Sequence, residues 1–203
     1  MHIFIHYPSL FNAKSKFERK LNNILSRTKT GTIYYTDDSN KLIECYFVDK
    51  SAYVLEKIDN ILNYPISHAI IFSDESDEFK ALESIFCDRN IVFRAIAVKI
   101  TRVVNIDIEK EYRQLSKSDN YEYIGRGSYW GNPYSMYDFG DENNSREDVI
   151  AKFKYDFDRD ILAKKSKVEV YKLAGKTLGC HCKPKACHGD VLADFLNSWD
   201  DGN

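Results

Sequence analysis

Through the first hundred positions, short apolar runs alternate with longer stretches in which apolar residues recur every three or four places. "HIFIHY" (2–7), "HAIIFSD" (68–74) and "VFRAIAVKI" (92–100) read as strands. The stretch 13–27 sets Phe17, Leu21 and Leu25 at helical spacing between charges, and 77–90 reads as a second helix. "GTIYYTD" (31–37) and "KLIECYFVD" (41–49) predict a hairpin turned at "DSN", and Ser51 with Leu55, Ile58, Ile61 and Leu62 predicts a capped helix over 51–64. Strands interleaved with helices predict an α/β layer with some parallel pairing.

The texture changes at "TRVVNI" (101–106), and "KEYRQLSKSDN" (110–120) is polar. After "YEYIGRGSYWGNPYSMYDFG" (121–140), Ser145 and Asp148 form the ends of a capping box that opens a helix over 145–165. A turn and strand over 173–182 lead to a last helix, 188–198, with Val191, Leu192, Phe195 and Leu196 on its core face. The expected fold is therefore α/β, a Rossmann-like mixed sheet with flanking helices. It divides into a Rossmann-like half, 1–100, and a half, 101–203, that carries the site. No internal repeat or low-complexity tract interrupts it.

Glycine placement sharpens that division. Of nine glycines only Gly31 precedes position 125, so the first half has no glycine-rich turn after its first strand of the kind a dinucleotide or P-loop site needs. A net charge of −2 gives no global basic field, and any nucleic-acid contact must come from a local patch. The opening "MHIFIHYPSL" does not read as a signal peptide, and no apolar run is long enough to span a membrane. A cytoplasmic protein with free thiols is expected, and five cysteines, an odd number, agree with that.

Candidate chemistry concentrates in "LGCHCKPKACHGDVLADFL" (178–196). Period-two alternation puts Cys180 and Cys182 on one strand face and His181 on the other. With Cys187 and His188 they could supply four ligands to zinc, although the C-x-C-x4-C-H spacing is not a paired knuckle. Burial as plain reduced cysteines and a reactive Cys187 thiol stay open beside it. A strand, a short loop and a helix start also make an anion cradle from free N–H groups, with Gly189 for close approach and Lys183 and Lys185 for charge. Its partner is "GRGSYWGNP" (125–133): Arg126 and Ser128 suit an anion, Trp130 or Tyr129 a base or sugar face, Asn132 orientation. His188 and Asp190 are the candidate proton carriers. His2, His6 and His68 lie on apolar strands and read as core or edge residues.

Taken together, "VVNI", "YIGRGSYWGNPY", a Ser-Arg-Glu helix start and "GKTLGCHCKPKACHGDVLADFL" resemble the domain-of-unknown-function 4326 family of bacteria and phages, over about residues 101–198. Gly125, Arg126, Ser128, Trp130, Gly131, Asn132 and Pro133 match its first motif, and Cys180, Cys182, Pro184, Cys187, His188, Gly189 and Asp190 its second. His181 departs from the tryptophan usual there. Residues 1–100 resemble, more distantly, Rossmann-like nucleotide-processing domains, including nucleoside and nucleotide glycosidases. The first resemblance names a domain but supplies no reaction. Joined to the anion cradle, the 125–133 loop and the fold-level likeness of the first half, it leads to the expectation of a transferase or hydrolase that makes or cleaves a glycosidic bond on a nucleotide, nucleotide sugar or DNA base, in the host cytoplasm if phage-encoded. A nucleotide-sensing or nucleic-acid-binding module, and a zinc-stabilised interaction domain, are the alternatives. No cofactor is required by the first reading; a membrane partner is not expected, and a homo-oligomer stays open.

Overall fold

The computed structural model describes residues 1–115, 117–136, 145–163 and 165–203. The chain divides into two compact units, Met1–Lys99 with Ser198–Asn203, and Ile100–Asn197. The predicted segment 121–140 lies outside the described residues from 137 onward, and the predicted helix 145–165 does so at Lys164.

In the first unit β1 (His2–His6), α1 (Lys14–Ile24), β2 (Gly31–Tyr35), α2 (Leu42–Phe47), β3 (Tyr53–Lys57), β4 (His68–Ser73), α3 (Asp77–Asp88) and β5 (Val92–Ala97) follow one another. The sheet order is β3-β2-β1-β4-β5, and every pairing is parallel, with Ile3 opposite Ile33 and Ile5 opposite Ile70. Parallel strands buried on both faces need continuous apolar runs. "IFI" at 3–5 and "AIIF" at 69–72 supply them, all buried. On one face, Phe17 of α1 stacks on Phe72, with ring centroids 4.9 Å apart. On the other, Phe86 of α3 meets Phe4 at 6.1 Å.

The predicted hairpin is absent. Asp38 caps instead of turning: its Oδ1 accepts from the N–H of Ile43 at 3.0 Å and its Oδ2 from that of Glu44 at 2.9 Å, which starts α2 where a return strand was expected. The predicted helix over 51–64 is likewise replaced by β3 and a single 3-10 turn, Ile61–Asn63, capped by Asn60. A helix now follows β2, so β3 can lie parallel to it at the sheet edge.

In the second unit β6 (Arg102–Asn105), β7 (Tyr121–Tyr123) and β8 (Thr177–Cys180) form a parallel sheet in the order β6-β8-β7, with α4 (Arg146–Asp158) and α5 (His188–Asn197) as its helices. The α4 capping box forms as expected between Ser145 and Asp148. The helix ends at Asp158 rather than at 165, because Asp160 takes a left-handed φ of 56° and the Ile161 N–H turns back to the Asp156 carbonyl at 2.9 Å. Trp130, Phe153, Phe157, Leu178 and Leu192 fill the core. Asn197 and Thr101 close it, with the Thr101 N–H donating to Asn197 Oδ1 at 2.8 Å and Asn197 Nδ2 to the Thr101 carbonyl at 3.0 Å. Among the described residues no helix is long and apolar enough to cross a membrane.

Two predictions follow from the first unit. Lys16, 3% exposed, pairs with Asp201 at 2.7 Å, and removing one partner of a buried pair strands the other charge. Asp201→Asn should cost about 3 kcal/mol in urea denaturation, whereas replacing both partners, Lys16→Met with Asp201→Leu, should cost far less. His6 is buried, and that burial lowers its pKa below 6.5 against the opposing pull of Glu78, Asp37 and Asp74. A depressed histidine stays neutral in the folded state while the unfolded chain takes up the proton. Stability should therefore fall as pH drops from about 6.5. The decline between pH 7.5 and 5.5 should be shallower in His6→Asn.

Candidate functional site

Strand β8 stops at Cys180, and the chain then crosses from the sheet to the start of α5 through residues 181–187. One side chain sets that path. Asn105, buried at the end of β6 and paired opposite Cys180, donates from Nδ2 to the carbonyls of His181 (3.2 Å) and Lys183 (2.5 Å). Its Oδ1 accepts from the N–H of Asp107 at 2.8 Å. A turn from the Lys185 N–H to the Cys182 carbonyl (3.0 Å) brings Cys182 back over Cys180.

Three sulfurs converge as a result. Cys187 Sγ lies 3.3 Å from Cys180 Sγ, which lies 3.4 Å from Cys182 Sγ. All five cysteines are free. The thiols form a donor chain that ends at Cys182. Hydrogen bonds from Cys180 and Cys187, with the Arg146 guanidinium alongside, push the Cys182 thiol well down, and the same bonds push Cys187 up. Cys187 Sγ also accepts the Gly189 N–H at 3.3 Å, while Asp190 Oδ2 accepts the Cys187 N–H at 2.9 Å. Cys187 thus caps the helix through its sulfur, and Asp190 returns a bond to the cap's N–H.

Above the sulfurs lies a cavity of about 180 Å³, lined by all three cysteines, Arg126, Asn132, Arg146, His181 and His188, with Met136, Val149 and Ile150 as its apolar wall. Arg146, at the start of α4, donates to the Ala186 carbonyl at 3.3 Å and reaches the Cys182 sulfur. Arg126 bonds Ser135 Oγ at 3.2 Å and stays exposed. His181 Nδ1 sits 2.7 Å from Asp107 Oδ2, and that hydrogen bond, with Arg113 nearby, holds the Asp107 carboxyl below its usual range. A carboxylate on Nδ1 fixes the proton there and leaves Nε2 as the basic nitrogen.

The geometry places several of the expected site residues in other surroundings. Trp130 is 4% exposed in the hydrophobic core and offers no stacking face, while its neighbour Tyr129 is turned outward onto Glu169. Gly189 does not admit a ligand: a Cβ there would stand 2.5 Å from Ile124 Cδ1 and 3.2 Å from Val103, so the glycine is required for helix–sheet packing. Asp190 folds back onto its own helix start and binds Lys183 at 2.6 Å, which fills the expected anion cradle with a carboxylate and neutralises one of its lysines. Lys185 is exposed outside the cavity lining. Ser128 Oγ is buried with no hydrogen-bond partner among the described residues, also away from that lining. Asn132 does line the cavity, but its Nδ2 donates to the Val149 carbonyl (3.1 Å) and its Oδ1 accepts from Tyr134 N–H (2.9 Å), pinning the loop to α4.

His188 is buried, and burial lowers its pKa. Its Nε2 faces the Ile124 carbonyl at 3.0 Å, which can only accept, so Nε2 carries the proton. Its Nδ1 lies 3.6 Å from Cys187 Sγ, yet the histidine falls outside the group of ligand atoms lying within 4.8 Å of one another, which comprises Cys180, Cys182 and Cys187. Arg146, His181 and Asp107 were not among the candidates. The parallel register of β6 on β8, which aligns Asn105 with Cys180, is the signal that would have put Asp107 beside His181.

In the first unit the strand order reverses direction between β1 and β4, where α/β sheets bind ligands beyond the strand ends. There His6 meets Glu78 at 3.5 Å, with Asp37 and Asp74 close by, in place of a phosphate loop.

Residues 106–198 match the model of the domain of unknown function 4326, in agreement with the sequence motifs. Over 82 residues the chain is 44% identical to the "Uncharacterized 12.4 kDa protein in nrdA-td intergenic region" of Enterobacteria phage T4, covering 40% of this chain and 71% of that protein. No solved structure matches. Residues 1–104 match the minimal SLOG domain, which carries a nucleotide-related function. The chain thus belongs to the minimal SLOG domain family, with a domain of unknown function 4326 following in the same polypeptide.

Proposed function

We propose that the second unit acts on a nucleotide or nucleotide derivative, cleaving or transferring its glycosidic bond in the cavity over the three cysteines. One observation carries this reading: two guanidiniums and a carboxylate-held imidazole border the same small cavity. Arginine forks suit phosphate or carboxylate oxygens, and the Met136–Val149–Ile150 wall suits a sugar or base edge. At about 180 Å³ the cavity is smaller than the roughly 300–1,000 Å³ that enclose a drug-sized ligand. It therefore takes one ring, and the remainder projects past the exposed Arg126.

None of the described lining residues is a carboxylate, so the proton falls to His181 rather than Asp190. His181 Nε2 takes a proton from water, or from an acceptor hydroxyl, as its oxygen bonds to the anomeric carbon. The C–N or C–O bond breaks, the leaving group departs with the electron pair and takes a proton from solvent, and His181 returns its own proton to solvent. Arg146 offsets the charge on the ligand. Membership of a nucleotide-related family supports the substrate class.

The test is thermal unfolding against nucleoside monophosphates, nucleotide sugars and short DNAs, followed by product analysis. A ligand at about 100-fold its Kd adds roughly 2.7 kcal/mol, a shift of about 5–10 °C for a chain of this size. Arg146→Ala should abolish the shift. His181→Gln should keep it and lower turnover by about 100-fold or more. A shift that survives Arg146→Ala would sink the cavity as the site. Binding with no product from any ligand would leave a nucleotide-sensing module.

A further inference from the structure

We propose that Cys180, Cys182 and Cys187 hold a single zinc ion whose fourth coordination position opens into the cavity between Arg126, Arg146 and His181, where it takes an oxygen anion, phosphate or carboxylate.

The three ligand atoms lie within 4.8 Å of one another. Sulfurs around one tetrahedral zinc, with bonds of about 2.3 Å, stand about 3.8 Å apart. The separations of 3.3 and 3.4 Å need to open by only about 0.4 Å to match that spacing. They are too short to surround an iron–sulfur cluster, so the group suits one ion. Cys180 and Cys187 are buried and Cys182 is half-buried. Soft thiolates at a tight site select zinc among the common divalent ions.

The surroundings are those of metal-bound thiolates rather than of plain buried cysteines. The Gly189 N–H points at Cys187 Sγ, and the Cys182 N–H lies against Cys180 Sγ. Three thiolates and Zn²⁺ carry one net negative charge, and the Arg146 guanidinium lies against Cys182 to balance it. Structural zinc sites close with four protein ligands, whereas catalytic ones keep a position open. His188 lies outside the group, with Nε2 bound to the Ile124 carbonyl, and all three cysteines face the cavity. The open position is therefore the cavity floor. Its use by a substrate anion rests on the cavity being the site proposed above; the holding of metal does not.

The experiment uses the full chain purified without chelator. Elemental analysis should give one zinc per chain, and a mercurial that blocks thiols should release it to a colorimetric indicator. In the native protein only the two distant thiols, Cys45 and Cys87, should react promptly with a disulfide reagent. Cys182→Ser should lower zinc to well under half occupancy. Cobalt substituted for zinc should show thiolate charge-transfer absorption and tetrahedral d–d bands. Those bands should shift on adding inorganic phosphate, and should not shift in Arg146→Ala. Overturning results are metal-free protein with all five thiols reactive, a disulfide within the trio, or a metal other than zinc. Bands indifferent to phosphate in the wild type would show the fourth position closed and overturn the open site. Since none of these readings uses a nucleotide, they fail or succeed separately from the nucleotide assignment.

Discussion

The amide of Asn105 ties the 181–183 stretch at the cavity to the turn that carries Asp107. From one buried position it takes two carbonyls of the 181–183 stretch and the N–H of Asp107. The first two bonds fold Cys182 back toward Cys180; the third starts the turn that presents Asp107 to His181. Neither loop has a strand ladder of its own beyond Cys180 and Asn105, so this side chain substitutes for one. Its place at the end of β6, aligned with Cys180, makes the parallel sheet the source of the site's precision. A buried amide with all of its groups in use leaves little room for substitution. The three-stranded sheet matters functionally less for its area than for the register in which it sets Asn105 against Cys180.

That dependence explains what the sequence could and could not reveal. Apolar runs at 3–5 and 69–72 announce parallel strands, and Ser145 with Asp148 announces α4, because each is decided within a few residues. The hairpin reading failed at Asp38, since an aspartate before a polar run looks the same whether it turns a hairpin or caps a helix. Only its bonds to Ile43 and Glu44 decide. Asp190 repeats the lesson. A Gly-Asp helix start beside two lysines reads as an anion cradle, but once the carboxylate takes the Cys187 N–H and Lys183, the cradle is occupied from within. His181 was set aside by strand alternation, which ceases to apply where β8 ends, one residue earlier.

The two units present opposite charge to a ligand. At the switch point of the five-stranded sheet, His6 lies among Glu78, Asp37 and Asp74, an environment that repels phosphate. The second unit turns two arginines toward its cavity. A chain with a net charge of −2 has no long-range pull on an anion, so the capture we propose depends on those guanidiniums within about a Debye length, roughly 8 Å at physiological salt. The nucleotide-related character of the first domain therefore does not assign it the phosphate-binding role. The charge distribution favours the second unit for that contact.

The sulfurs set the last constraint. A core that needed only small apolar volume at 180, 182 and 187 could be built from alanine and valine without aiming three polarisable atoms at one point. Three sulfurs held at 3.3–3.4 Å, with all three ligand atoms within 4.8 Å of one another, are spaced for one shared ion. The N–H donors at Cys180 and Cys187, and the guanidinium at Cys182, are already directed at negative sulfur. Three sulfurs converging on one point, with donors already aimed at them, are the argument for the ion.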